Sequence, residues 1–215
     1  MVFSAEILRT ASLSLTVSVA STLLATLFGL PLGVFLGLSQ KRGMGILRSI
    51  VSTFTGMPPV VAGLFVYMAL SASGPLGGLK LLFTPAAMIL AQVLIITPIV
   101  AAVVFPAVST VSKEISETCS GLCISRRRTL RLLLAECRFA MMAAVLQGFG
   151  RGISEVGAVM LVGGNIRFHT RVLTTAIVLE TSKGEYGNSL SLAAILITIA
   201  LLVNLLAGKF RESSK

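Results

Sequence analysis

The 215-residue sequence contains no aspartate and no tryptophan, one histidine and three cysteines. Charged residues make up only 12% of it, and one sign dominates: Lys and Arg number 18 against 8 acids, a net charge of +10. So little charge excludes a soluble domain of this length, which needs more polar surface around its core. Cys119 and Cys123 stand one helical turn apart, as a metal or redox pair would. The sole histidine, His169, lies beyond the next apolar segment, so small residues on a reducing face is the better account, and no metal is expected. The candidate nucleophiles Cys137 and Ser154 have no His or acid at a useful spacing other than Glu155. No glycine-rich loop ending in Lys-Ser or Lys-Thr occurs, so any ATP hydrolysis must come from a partner, and no cofactor is expected on this chain.

Apolar sequence is plentiful. Hydrophobic residues reach 55% and the mean hydropathy is +0.95. No charge occurs from Thr10 to Gln40, from Ser49 to Leu79, or from Leu81 to Ser112. Each run exceeds the roughly 20 residues that a spanning helix needs. The pattern predicts an all-α, multi-pass membrane protein with five transmembrane helices, at about 11–39, 49–71, 82–107, 139–162 and 189–207. Basic residues flank these runs, which marks them as topology signals and not as a nucleic-acid surface. Lys41, Arg42, Arg48, Lys113, Arg126, Arg127, Arg128, Arg131, Arg138, Lys209, Arg211 and Lys215 fall on one side. Arg9, Lys80, Arg167, Arg171 and Lys183 fall on the other. The excess marks the cytoplasm, so the N-terminus is expected outside and the C-terminus inside. The first residues lack a basic leader and the run after them is too long for a signal peptide, so they are expected to be retained.

Punctuation refines the spans. Pro58 and Pro59 each remove a backbone donor and must interrupt or kink the second span. Such a break survives in a membrane only inside protein or beside a wet cavity. Pro31 and Pro98 kink the first and third spans more mildly. In the outer loop, 163–188, Val172, Leu173, Ala176, Ile177 and Glu180 share one stripe of a short helix at the membrane surface or against the bundle. Gly184 and Gly187 close it, with Asn188 or Ser189 capping the last span.

The fourth span carries Arg151 and Glu155, one turn apart. An unpaired charge at bilayer depth is expensive, so both should face protein or water and pair with each other. Gly148 and Gly152 give that helix a slim face for close packing. Arg151 serves either as positive potential along a path for an anion or as half of a structural clip. Gly163, Gly164 and Asn165 offer either backbone donors for a transient anion contact or a simple helix stop.

The segment 111–138 is the one sizeable loop between spans, and it reads KEISETCSGLCISRRRTLRLLLAECR from Lys113. Leu122, Arg126, Leu130 and Leu133 can share a helical face. The basic, partly apolar stretch either docks a partner or touches lipid headgroups. It resembles the EAA loop of the permease subunits of bacterial ATP-binding-cassette importers. Glu117 takes the acidic place of that pattern, Thr118 and Cys119 the small places, and Cys123 the glycine place. Arg126, Arg127 and Arg128 follow, and Ala135-Glu136 stands where Leu-Pro is usual. With the glycine lost, Gly121 is left to supply the bend. The pieces ISEVGA, VGGNI and TTAIVLETSKG resemble the tungstate-type permeases of the molybdate/tungstate group, and the double proline fits the same group. The resemblance covers essentially the whole chain. It implies the type I importer transmembrane fold as a single domain, a homodimer in the bacterial or archaeal cytoplasmic membrane, and two cytoplasmic ATPase subunits docked on the EAA loops. It further implies an external oxyanion-binding protein and import by alternating access. Tungstate is the first expectation and molybdate or another oxyanion the alternative. An ion-coupled secondary carrier is the rival class, and Glu155 is the single intramembrane acid it could use.

Overall fold

The computed structural model describes residues 2–39 and 43–212. Lys41, Arg42 and Lys215 lie outside the described residues, as do the side chains of Lys209 and Arg211. Among the described residues the regular structure is entirely helical. Two helices form the frame, α1 (Val2–Leu38) and α4 (Pro85–Gly121), each 37 residues long. At 1.5 Å per residue each measures about 55 Å, well past the ~30 Å hydrocarbon core of a bilayer.

α1 and α4 lie side by side and point the same way. Ser21 hydrogen-bonds Gln92, 71 residues further on. At that same offset Gly29 meets Val100, Gly33 meets Val104 and Gly37 meets Val108. A Cβ on Gly29 or Gly33 would stand 2.8 Å from the facing valine Cβ, and one on Gly37 2.6 Å away. Only glycine permits this approach, and dispersion along the seam replaces the hydrophobic effect that lipid cannot supply.

Parallel neighbours require the chain to come back between them. α2 (Met44–Thr55) and α3 (Pro59–Leu70) make that return, meeting at 98°. Of the interruption or kink expected in the span at 49–71, the structure has the interruption: two helices at nearly a right angle. Pro59 starts α3, a position where its missing N–H costs nothing. Pro58, preceding a proline, is held extended at φ −58°, ψ 128°. Two successive residues without donors leave no way to continue α2 through the corner. Pro31, Pro98 and Pro106, by contrast, lie inside unbroken helices.

Past its spanning part α4 runs on to Gly121, so the first half of the 111–138 segment is an extension of that rod. α5 (Arg126–Glu136) follows, then α6 (Arg138–Ile153) at 57° to it. α6 returns antiparallel along α4: Gly148 packs on Ile96 and Val100, Gly152 on Ile96 and Gln92. The expected span at 139–162 is interrupted after Ile153, and α7 (Gly157–Gly163) resumes beyond the gap. α8 (Leu173–Ser182) is the short helix expected in the loop after it, with Leu173 and Ala176 buried. It rests on α1, where the Leu173 N–H donates to Ser14 Oγ at 2.7 Å. α9 (Tyr186–Glu212) begins earlier than expected, so Gly187, Asn188 and Ser189 are inside it and cap nothing. Ser189 Oγ instead ties α9 to α8 through the Ile177 carbonyl.

α1, α4 and α9 are long and apolar enough to cross a membrane alone, over Glu6–Leu38, Pro85–Gly121 and Tyr186–Leu205. Two local devices were not read from the sequence. Arg48 donates to the Leu36 and Ser39 carbonyls at 2.7–3.1 Å, satisfying the end of α1. The turn after α4 is made by Cys123 at φ 52° and not by Gly121. The Ile124 N–H bonds the Cys119 carbonyl and the Cys123 N–H that of Ser120, a complete Schellman stop with cysteine where glycine is usual.

Candidate functional site at the broken helices

The two helix breaks meet. α3 packs on α7 so closely that a Cβ on Gly63 would fall 2.7 Å from Ala158 Cα, and one on Gly157 2.8 Å from Val60 Cγ2. Pro58 and Pro59 on one side and Arg151, Ser154 and Glu155 on the other are thereby brought to the two corners of one unit. The corner after α6 lies at the level of Ser18, Ser21, Thr22 and Gln92, all buried. Above this polar layer sits an apolar cluster around Val17, Met88, Ala91 and Val162; below it sits another around Ala25, Ile96, Val100 and Val104.

A broken helix frees backbone groups that lipid cannot solvate, and side chains take up several of them here. The Gly150 carbonyl accepts from Ser154 Oγ at 2.8 Å. The Gly152 carbonyl accepts from Gln92 Nε2 at 2.9 Å, while Ser21 Oγ donates to Gln92 Oε1 and fixes the amide's orientation. The Glu155 carbonyl accepts from Thr174 Oγ1 of α8 at 2.9 Å. Glu155 Oε1 accepts the Ala158 N–H at 3.2 Å and caps the first turn of α7. Its other oxygen, Oε2, lies 3.3 Å from Arg151 Nη2, an ionic contact without hydrogen-bond geometry. The carboxylate is 3% exposed and the guanidinium 35%. So the pair forms, but across a break and not along a continuous helix. The polar cavity beside it, lined by Ser14, Ser18, Gln92 and Thr174, is about 10 Å³.

Gly163, Gly164 and Asn165 lie at the other end of α7, about 10 Å away by helix rise. Gly164 at φ 70° and Asn165 at φ 51° terminate that helix. The Gly164 N–H is spent on Met160, and Thr170 Oγ1 bridges the Gly163 carbonyl and the Ile166 N–H. This is a carbonyl end, where the helix dipole favours cations over anions, and it has the geometry of the helix stop. The proposed docking residues Glu117, Thr118, Arg126, Arg127 and Arg128 are exposed around the Cys123 turn, and Cys119 is buried behind them. From Gln92 to Glu117 the same helix spans about 37 Å. At the end of the bundle where α1 starts, Glu6 holds Arg167 at 2.6 Å and Arg171 at 3.0 Å. Among the described residues no three metal-binding side chains come together.

Sequence reasoning missed Gln92, Ser21 and Thr174. Gln92 was findable: it is the lone amide in a charge-free run, and a polar side chain at bilayer depth signals a packed partner.

No family model matches the chain. It is 40% identical over 94% of its length to a probable anion ABC transporter permease protein of Haloferax volcanii, covering 89% of that protein. It is 34% identical over 98% of its length to the tungstate uptake system permease protein TupB of Peptoclostridium acidaminophilum, covering 92% of it. The chain belongs to the permease family of ATP-binding-cassette anion importers. This permease is also 27% identical, over 90% of both chains, to the molybdenum transport system permease protein ModB of Azotobacter vinelandii. Its fold matches the crystal structure of an amino acid ABC transporter with histidines at a TM-score of 0.74, with 15% identity over 98% of this chain and 95% of that one. The permease is an integral protein of the cytoplasmic membrane, and its relatives are transport subunits and not enzymes.

Proposed function

We propose that the chain moves tungstate inward by alternating access, as one of two identical permease subunits in a single-domain, five-span arrangement with the N-terminus outside. The observation that carries the substrate is the higher identity to a tungstate uptake permease than to a molybdenum one, 34% against 27%. Five crossings are supported by the parallel course of α1 and α4, which makes α2–α3 one return, α6–α7 a second, and α9 the last. A homodimer is supported by size. The polar layer holds about 10 Å³, barely room for a single water and too little for a five-atom oxyanion, so the route runs along a surface that a second copy completes.

In this reading α3 and α7 are the moving unit, hinged at Pro58 and at Ser154–Val156, and α1, α4 and α6 are its frame. Arg151 is the cation of the hinge, with Ser154 exposed beside it. ATPase subunits dock on the Cys123 turn and α5, and α4 carries their closure to Gln92 and the hinge. The first turn of α5 holds Arg126, Arg127 and Arg128, no acid and no side-chain cap. Three cations at a positive helix end are unfavourable in isolation, and an acidic partner surface relieves them. An external binding protein delivers the anion to the loop at 163–188.

The test is uptake by the reconstituted transporter with tungstate, molybdate and sulfate in competition, the ATPase and binding protein supplied. Tungstate uptake that excess molybdate suppresses only weakly is the expected result. Uptake of another anion in preference would reassign the substrate while leaving the architecture standing.

A further inference from the structure

The elbow between α2 and α3 encloses a second cavity, remote from the hinge charges. It holds about 480 Å³ between α1, α2, α3 and α4, with Phe28, Phe54, Ala69, Leu90, Leu94 and Pro98 among its walls. The one polar side chain in the lining, Thr97, donates its hydroxyl to the Val93 carbonyl at 2.7 Å. No group there calls for water or an ion. The flank is open: Phe28, Phe54 and Leu90 remain 59%, 46% and 41% exposed.

We propose that this cavity is a binding site for one acyl chain of a membrane phospholipid. From Leu90 to Pro98 the wall runs about 12 Å along α4, close to the ~15 Å thickness of one hydrocarbon leaflet. A hollow of that length, walled by a charge-free stretch of a helix long enough to span and open at its flank, matches a lipid tail. At its loop end is Leu76, and four residues on in the same loop stands Lys80, exposed and without a described partner, a cation for the phosphate of the lipid whose tail the hollow holds. A second copy of the chain is the poorer occupant. A two-fold contact centred here would set the hollow against its own copy, leaving a larger void. A tail in the elbow restores dispersion contacts that an empty apolar space forfeits. It also braces the 98° corner that presses α3 onto α7.

The experiment is native mass spectrometry of the assembled transporter, purified in one detergent and exchanged into another of different mass. Wild type should keep one phospholipid per permease chain. Ala69→Phe, which fills the hollow, should lose it while the assembly stays intact; Leu94→Trp repeats the test from α4 should the first variant fold poorly. Lys80→Gln should retain a phospholipid less well than wild type but hold a free fatty acid equally. A wild type that carries no lipid would sink the proposal, as would both filled variants retaining it. Filled variants that separate into single permease chains while keeping their lipid would show that the hollow is a subunit interface. Equal phospholipid retention in Lys80→Gln would remove Lys80 from the site.

Discussion

Glu155 has two jobs that its position in a break makes compatible. One oxygen caps α7 and the other faces Arg151. The partners differ in access to water, and that sets the sign of a mutational cycle. Arg151→Met strands a buried carboxylate and should cost about 3 kcal/mol of stability, the low end for breaking a buried pair because the guanidinium is partly exposed. Glu155→Leu leaves a guanidinium that can reach water, so it should cost less, though it also loses the cap. The double variant should be more stable than Arg151→Met, read by melting in detergent. If it assembles and melts normally yet transports poorly, Arg151 serves the anion and is more than a clip. A second residue-scale prediction concerns Cys123, held at φ 52°. A left-handed conformation costs a side-chain-bearing residue about 1–2 kcal/mol, so Cys123→Gly should stabilise the turn by up to about 1 kcal/mol once glycine's extra unfolded-state freedom is subtracted. Unchanged or lower melting would mean that the cysteine side chain itself supports the turn.

At the scale of elements, the seam between α1 and α4 holds the frame together. A Cβ at Gly33 would meet Val104 Cβ at 2.8 Å and the Ala101 carbonyl at 3.0 Å. Overpacking of this kind costs about 1–3 kcal/mol, so Gly33→Ala should lower the melting temperature. Val104→Ala placed alongside should recover part of the loss, while Val104→Ala alone should destabilise. Failure of the pair to couple would mean that the helices slide apart without cost. The glycines recur every fourth residue, a spacing legible in the sequence as a close-packing face. Their partner was not legible, because nothing local points from Gly33 to a valine 71 positions away. The double proline announced the elbow, but not that it turns through 98°. The break after Ile153 carried no such sign: no proline stands there, and the cut ends are bonded by Gln92 of α4, Thr174 of α8 and the Glu155 side chain within the break itself.

At the scale of the molecule, orientation can be read at one atom. Cys123 is exposed on the Cys123–Ile124 turn, whereas Cys119 and Cys137 are buried. Burial, and after it the Glu136 carboxylate, pushes the Cys137 thiol above its usual range, which further slows its reaction. An impermeant thiol reagent should therefore label Cys123 alone in inside-out vesicles and nothing in intact cells. Labelling of Cys123 from outside would invert the proposed topology and remove the ATPase from that turn.

Composition alone determined that this chain lives in a membrane, because +0.95 mean hydropathy with 12% charge leaves no polar surface for water. Helical content followed, since a spanning segment must satisfy its own backbone. The short helix at Leu173–Ser182 and the Arg151–Glu155 contact were also within reach, because each is set by residues within a few positions of one another. Tertiary structure decided the rest. The valine rail that the glycines fit, the meeting of two breaks at Gly63 and Ala158, the amide that heals the cut helix, and the hollow inside the elbow all join residues distant in sequence. Their chemistry becomes specific only when packing sets the distance between them.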